Sequence, residues 1–375
     1  TTSSAMGRLS NISLPVGMRD EHTLTDEQVQ MYAMEKLMNF RWISKLFATC
    51  APHGLSAKDL APKEVSDYCS EVGQFAEVAY SAIPLEFIFE NLDALMEPTL
   101  PLDKYTALRG SHLVASFFGQ TAHLQGYSAY RPETKQLILT FQGTASPHQA
   151  LYDLQLVMHE HPSQHGRVHA GFWKLYQGAK QPALDALRKG LAEHDVEEVV
   201  VTGHSMGAAL SQLFLVDLLR DESLAPIGRI PIRLVGFGSP RSGTHTLVGF
   251  WNALVSERRG RHGRESIVEY AVKIYNDGIP ALPPLALGYR HFARAPYYFV
   301  QGRLYRVPEA LAEYSLFDVD LSEDAVEPPL HPRGGHNYYN GRDMERFARR
   351  IGYLDRAMKE VGDWRERYRE QVAKH

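Results

Sequence analysis

Residues 203–207 read Gly-His-Ser-Met-Gly and follow the valine run 199–201. Gly-x-Ser-x-Gly alone recurs by chance. Here a β-rich segment enters it and the apolar segment 206–220 leaves it with helical character. That context fits a sharp strand-to-helix turn that exposes a serine hydroxyl. Side chains at Gly203 or Gly207 would collide with the neighbouring strand and helix. The chemistry expected of Ser205 is nucleophilic attack, with the N–H dipoles at the N-terminus of the following helix under a developing oxyanion. His204 completes the elbow. A serine is a weak nucleophile alone and needs a base and an orienting acid. At such an elbow the acid follows the serine in the chain and the histidine follows the acid. The downstream acids include Asp217, Asp221, Asp277, Asp318, Asp320 and Asp324. Asp217 and Asp221 fall on or just after the elbow helix and read as solvated. Asp277 directly follows a strand, where acids of open α/β sheets line the functional edge. It is the preferred acid. Among the downstream histidines, His336 follows Gly334-Gly335, a pair that permits a loop to reach over the serine. His331 lies five residues earlier, and spacing alone does not separate the two. His291 is a third choice.

These residues need a scaffold. Residues 125–131 and 136–142 are β-rich runs around Pro132-Glu133-Thr134, which reads as a hairpin. The segment 174–194 carries apolar residues at helical spacing, and 197–202 reads as a strand buried on both faces. Further strands are expected at 232–236 and 267–275. Strands alternating with helices predict a central, mainly parallel sheet flanked by helices. With the elbow, this predicts an α/β-hydrolase fold. Upstream, Thr25 and Gln28 form a capping-box pattern before Met31, Met34, Leu37, Met38, Trp42 and Leu46, which recur at helical spacing. The stripe reads as core packing in preference to a lipid-facing surface. A second helix is expected over 64–83. The chain thus divides into a helical extension (1–60), a catalytic domain (61–341) and a charged helical tail (342–375).

Several motifs, in order, resemble the fungal-type triacylglycerol lipases, also called class 3 lipases. Residues 139–144, Leu-Thr-Phe-Gln-Gly-Thr, are similar to the family strand whose terminal hydroxyl residue supplies half of the oxyanion hole. Val168-His169-Ala170-Gly171-Phe172, the elbow, Phe237-Gly238-Ser239-Pro240-Arg241-Ser242-Gly243, Asn276-Asp277-Gly278-Ile279-Pro280 and Gly335-His336-Asn337-Tyr338-Tyr339 match further family segments. The resemblance covers roughly residues 65–340. It implies Ser205, Asp277 and His336 as the catalytic set, Thr144 and Met206 as oxyanion donors, and a structural role for His291. It also implies a lid helix at 146–154, with Ser146 as cap and Leu151 and Leu154 on an apolar side. Departures are Gln142 for the usual arginine, Gly335 for the common aspartate, and Ala150 where many members carry tryptophan. The basic stretch 258–264 reads as an inserted loop.

The implied activity is hydrolysis of carboxylic esters through an acyl-enzyme, on acylglycerols at a lipid–water interface. The alternatives are a small-ester, feruloyl-type esterase or a phospholipase A1, and more remotely an inactive binding scaffold. The chemistry calls for neither metal nor organic cofactor. A formal charge of −4 over 375 residues gives no global attraction to nucleic acid. No apolar run approaches the ~18 residues of a membrane span. Cys50 and Cys69 are too few for a disulfide framework and read as free, buried thiols, with one bridge as the other option. That count, and the lack of an apolar signal-like run in residues 1–19, favour an intracellular protein with peripheral lipid contact, while leaving secretion open.

Overall fold

The structure, a computed structural model, describes residues 24–144, 156–320, 329–339 and 341–374. The lid candidates Ser146, Leu151 and Leu154 lie outside these residues, as does Asp324. The strands are β1 (His112–Phe118), β2 (Gln125–Arg131), β3 (Gln136–Phe141), β4 (Met158–Glu160), β5 (Arg167–His169), β6 (Glu198–His204), β7 (Ile232–Phe237), β8 (Gly243–Thr244), β9 (Ile267–Ile274), β10 (Tyr289–Arg290), β11 (Tyr297–Val300) and β12 (Arg303–Arg306). The main sheet has the order β1-β2-β3-β6-β7-β9-β11-β12, and a small sheet runs β10-β8-β5-β4. Neighbours from β3 to β11 are parallel, and the outer pairs are antiparallel.

The helices are α1 (Asp26–Ala33), α2 (Arg41–Phe47), α3 (Lys63–Val78), α4 (Leu85–Glu90), α5 (Leu92–Leu95), α6 (Ala170–Glu193), α7 (Met206–Arg220), α8 (His245–His262), α9 (Met344–Met358) and α10 (Trp364–Ala373). The period-two geometry of β6 divides the valine run between two cores. Val199 and Val201 face α6, α7 and α8 through residues such as Leu187, Leu213 and Trp251. Val200 faces α3 and α9 through Phe75, Phe347 and Ile351. A strand so covered needs apolar residues at consecutive positions, and that is how the sequence reads. Burying Phe347, Ile351 and Leu354 stabilises the α9 packing by roughly 1.5–3 kcal/mol per side chain.

The hairpin at β2 and β3 pairs Arg131 with Gln136, as expected. Strand β1 precedes it and was not foreseen. The Thr25–Gln28 capping box is present. The helix expected beyond it is broken, however, and the chain turns before Phe40, whose φ is 57°. The break destroys the helical phase of the methionine stripe. Met34, Trp42 and Leu46 stand exposed, Leu46 at 69%, while Phe40 and Ile43 take the buried places. The basic stretch 258–264 is not a loop but largely the last turn of α8. Arg258 is buried and donates to the carbonyls of Ile230 and Ser266, and Arg259 to that of Ile267. Cations at a helix C-terminus also meet the negative end of its dipole. The two thiols are free; Cys69 is buried and Cys50 exposed, so half of that expectation fails.

Lys273 on β9 is buried, and its Nζ donates to the carbonyls of Ala312 and Tyr314, the latter at 2.7 Å. Burial, with Arg241 nearby, pulls its pKa down to about 7. The unfolded chain therefore binds more protons between about pH 7 and 10.5, and stability rises with pH across that window. It is lost as pH falls to 7. Melting curves of wild type and Lys273→Met should show the wild type gaining a few degrees relative to the variant from pH 7 to 10. Parallel curves would overturn the assignment.

Candidate active site

β6 delivers His204, and the chain turns sharply at Ser205, with φ 60° and ψ −129°, before α7 begins at Met206. A non-glycine residue at positive φ is strained, and such strain clusters at functional sites. The Ser205 amide donates to the Phe237 carbonyl at 2.8 Å, which ties the turn to β7. A Cβ on Gly207 would lie 2.1 Å from the Phe141 carbonyl oxygen, and one on Gly203 would lie 2.4 Å from the Gly207 carbonyl carbon. Both glycines are therefore demanded by close approach, as the elbow reading expects.

β7 ends one residue before Gly238, whose φ is 57°. A Cβ there would meet the Asp277 Oδ2 at 2.8 Å and the His336 Cε1 at 3.0 Å. The strand end that holds Ser205 thus runs directly against the acid and the histidine. Asp277 follows β9. Its Oδ2 lies 2.8 Å from His336 Nδ1, and its Oδ1 accepts the Ile279 amide at 2.8 Å. Both side chains are buried. His336 Nε2 is buried too and has no hydrogen-bond partner among the described residues.

The histidine is held from three sides. Its amide donates to Asn39 O at 2.8 Å, the Phe40 ring packs edge-on at 5.2 Å, and its carbonyl lies 2.9 Å from His204 Nε2. Because a carbonyl only accepts, His204 carries its proton on Nε2 and presents a lone pair at Nδ1. The Tyr80 hydroxyl lies 3.0 Å from that Nδ1 and donates to it. Burial, with His336 adjacent, holds the His204 pKa well below its ordinary range, so this tautomer stays neutral. The Tyr80 oxygen also lies against Gly143, where a Cβ would meet it at 2.2 Å. Gly143 passes so close to Ser205 that a Cβ on it would lie 3.1 Å from the serine Cβ. The next residue, Thr144, donates its hydroxyl to the Met206 sulfur at 3.4 Å.

The structure therefore brings Ser205, Asp277, His336, Thr144 and Met206 into one corner at the carboxyl edge of the sheet. His331 is elsewhere. It stacks on Tyr338 and lies 3.6 Å from Asp343, at the N-terminus of α9. Asp217 is not solvated, contrary to expectation. It is buried, with Tyr176, Lys180 and Arg220 on its carboxylate. His291 is buried, with Nε2 on the Pro280 carbonyl at 2.9 Å, in keeping with a structural part. Sequence reasoning missed Tyr80, Asn39 and Phe40. The extension turns out to support the histidine loop: Arg41 Nη1 donates to Gly334 O at 2.8 Å, and Tyr338 donates to Glu35 at 2.8 Å. Among the described residues no cluster of three or more His, Cys, Asp or Glu side chains could hold a metal ion. No described helix is long and apolar enough to cross a membrane.

Residues 138–287 match the family model for lipase (class 3). A lipase of Rhizopus oryzae is 26% identical over 182 residues, which is 48% of this chain and 43% of that protein. The secreted mono- and diacylglycerol lipase A of Penicillium camembertii is 28% identical over 177 residues, 47% of this chain and 51% of that protein. The chain thus spans about half the length of the curated relatives it matches. The Rhizomucor miehei lipase in its propeptide complex superposes with a TM-score of 0.56 at 16% identity, covering 83% of this chain and 94% of that one. That likeness and the parallel sheet with its flanking helices make the fold an α/β-hydrolase.

Proposed function

We propose, from the match of residues 138–287 to the class 3 lipase family model, that this chain is a serine hydrolase of acylglycerol esters. The observation that carries the reading is the buried Asp277–His336 pair at 2.8 Å beside a strained serine elbow. Ser205 Oγ attacks the ester carbonyl as His336 Nε2 takes its proton. Asp277 fixes the Nδ1–H tautomer and stabilises the imidazolium that forms. The amides of Met206 and Thr144 receive the oxyanion, each worth about 2.7–4 kcal/mol in related geometries. The Thr144 hydroxyl adds a third donor once it leaves the Met206 sulfur. His336 then protonates the departing alcohol, and water attacks the acyl-enzyme by the same steps in reverse.

Acylglycerols are favoured because the similar Penicillium protein is named a mono- and diacylglycerol lipase. That protein is also named as secreted, which weighs against the intracellular expectation. The partition at residues 60 and 341 remains our proposal, with the described residues 24–60 and 342–374 packed on the catalytic body. So does a lid at 146–154, on sequence alone, and with it action at a lipid–water interface. The reading is tested with p-nitrophenyl butyrate, emulsified mono-, di- and triacylglycerols, and phosphatidylcholine. We expect an acylglycerol to be hydrolysed at least about tenfold faster than the phospholipid, a gap of ~1.4 kcal/mol in activation free energy. The reverse order would favour a phospholipase A1, and activity on the butyrate alone a small-ester esterase.

A further inference from the structure

Arg241, which holds the turn after Asp277, lies in the loop between β7 and β8. The turn after Asp277 exposes four consecutive carbonyls, 280 to 283, and two residues take all of them. Pro280 O receives His291 Nε2 at 2.9 Å. Ala281 O and Pro283 O receive Arg241 Nη1 at 2.7 and 3.1 Å. Leu282 O receives the Arg241 amide at 2.7 Å. The same turn begins at Ile279, whose amide is bonded to Asp277 Oδ1 at 2.8 Å. A displacement of the turn is therefore a displacement of the carboxylate that orients His336.

Glu313 joins the two holders. Its Oε2 accepts Arg241 Nε at 2.8 Å, its Oε1 accepts the His291 amide at 3.0 Å, and its carbonyl accepts Arg241 Nη2 at 2.6 Å. Arg241 has no exposed surface. A fully buried guanidinium is costly unless paired and hydrogen-bonded throughout, and here every bond it makes fixes either the turn or Glu313. Lys273 clamps the carbonyls on either side of Glu313, so the anchor itself is fixed to β9.

We propose that Arg241, locked by Glu313 and His291, is a positioning residue that sets Asp277 against His336. This rests on the hydrolase reading above. Arg241 touches neither substrate nor the reacting atoms. Its reach through a planar fork is what one side chain needs to hold Glu313 and two turn carbonyls at once. Lysine keeps the charge but cannot make that set of bonds.

The test uses the full chain with p-nitrophenyl butyrate, counting active sites by fluorophosphonate titration. Arg241→Lys should lower kcat per titrated site by about 10- to 100-fold, as sub-ångström misplacement does, with KM within about twofold. The acid limb of kcat/KM should move to lower pH by about one unit, because a displaced carboxylate stabilises the imidazolium less. Glu313→Gln keeps the side-chain shape and an acceptor oxygen, and should show the same two changes at smaller size. It serves as the test if Arg241→Lys does not fold. A purely structural role would lower the melting temperature while leaving kcat per site and the acid limb at wild-type values, and that result overturns the proposal. Wild type that hydrolyses no ester and takes no label at Ser205 would sink the hydrolase reading and the proposal with it. Active, Ser205-labelled wild type with unaltered variants would sink the positioning role alone.

Discussion

Ser205→Ala is expected to lose ester hydrolysis by a factor on the order of a million in kcat while melting within about 1 °C of wild type. The first half follows from the coupling of a serine to its base, since removing one member disables the set. The second follows from the local geometry. Alanine keeps the Cβ, and at φ 60° it is no more strained than serine. The amide bond to Phe237 O is made by backbone and survives. The elbow glycines and the first turn of α7 are untouched. A residual rate above that of water is expected from the oxyanion amides, which the substitution leaves in place. A fluorophosphonate should label wild type at Ser205 and leave the variant unlabelled. Label on a different serine in active protein would show that the nucleophile lies elsewhere.

What could be read from sequence was what is local. The elbow is encoded in consecutive residues, because the close approach of Gly207 to the Phe141 carbonyl admits no side chain. The valine strand was legible because a strand covered on both faces must be apolar at every position. What escaped depends on residues distant in the chain. Asp217 looks solvated on a helix read alone, yet Tyr176 and Lys180 reach it from α6. The methionine stripe was misread because its phase assumed one helix, and the chain breaks before Phe40. Arg258 looks like part of a solvated basic loop until its guanidinium is seen to satisfy carbonyls at 230 and 266. Tyr80 carries no motif. Its function in the site exists only because the end of α3, the elbow and the strand end at Gly143 meet there. Asn39 is equally silent, since it reaches His336 through its backbone carbonyl. The preference for Asp277 and His336 did have a local basis, in a strand end and a pair of glycines. Their 2.8 Å contact across the fold did not.

The same limit applies to the choice of base, where the second large effect is expected. His331 and His336 each lie beside a carboxylate, so the presence of an acid does not decide between them. The surroundings do. Asp343, the partner of His331 at 3.6 Å, also accepts the Arg346 amide and caps α9. His331 is stacked on Tyr338 at 4.4 Å, and the pair buttresses the start of that helix. Asp277, by contrast, spends one oxygen on its own turn and the other on His336, whose Nε2 is left without a partner among the described residues. An imidazole with Nδ1–H bound to a buried carboxylate presents its Nε2 lone pair to an incoming proton, which is what a general base must do. His336→Ala should therefore lower kcat by about 10⁴- to 10⁶-fold with little change in KM. His331→Ala should leave kcat within about threefold and cost about 1 kcal/mol of stability through the weakened cap. The bond from His204 to the His336 carbonyl is made by backbone and persists in the alanine variant, so the fold around the lesion should hold. Steady-state rates on p-nitrophenyl butyrate and denaturant unfolding of both variants decide the matter. A large kinetic loss in His331→Ala with a mild one in His336→Ala would assign the proton transfer to the wrong side of the Gly334–Gly335 bend and would require the site to be rebuilt around Asp343.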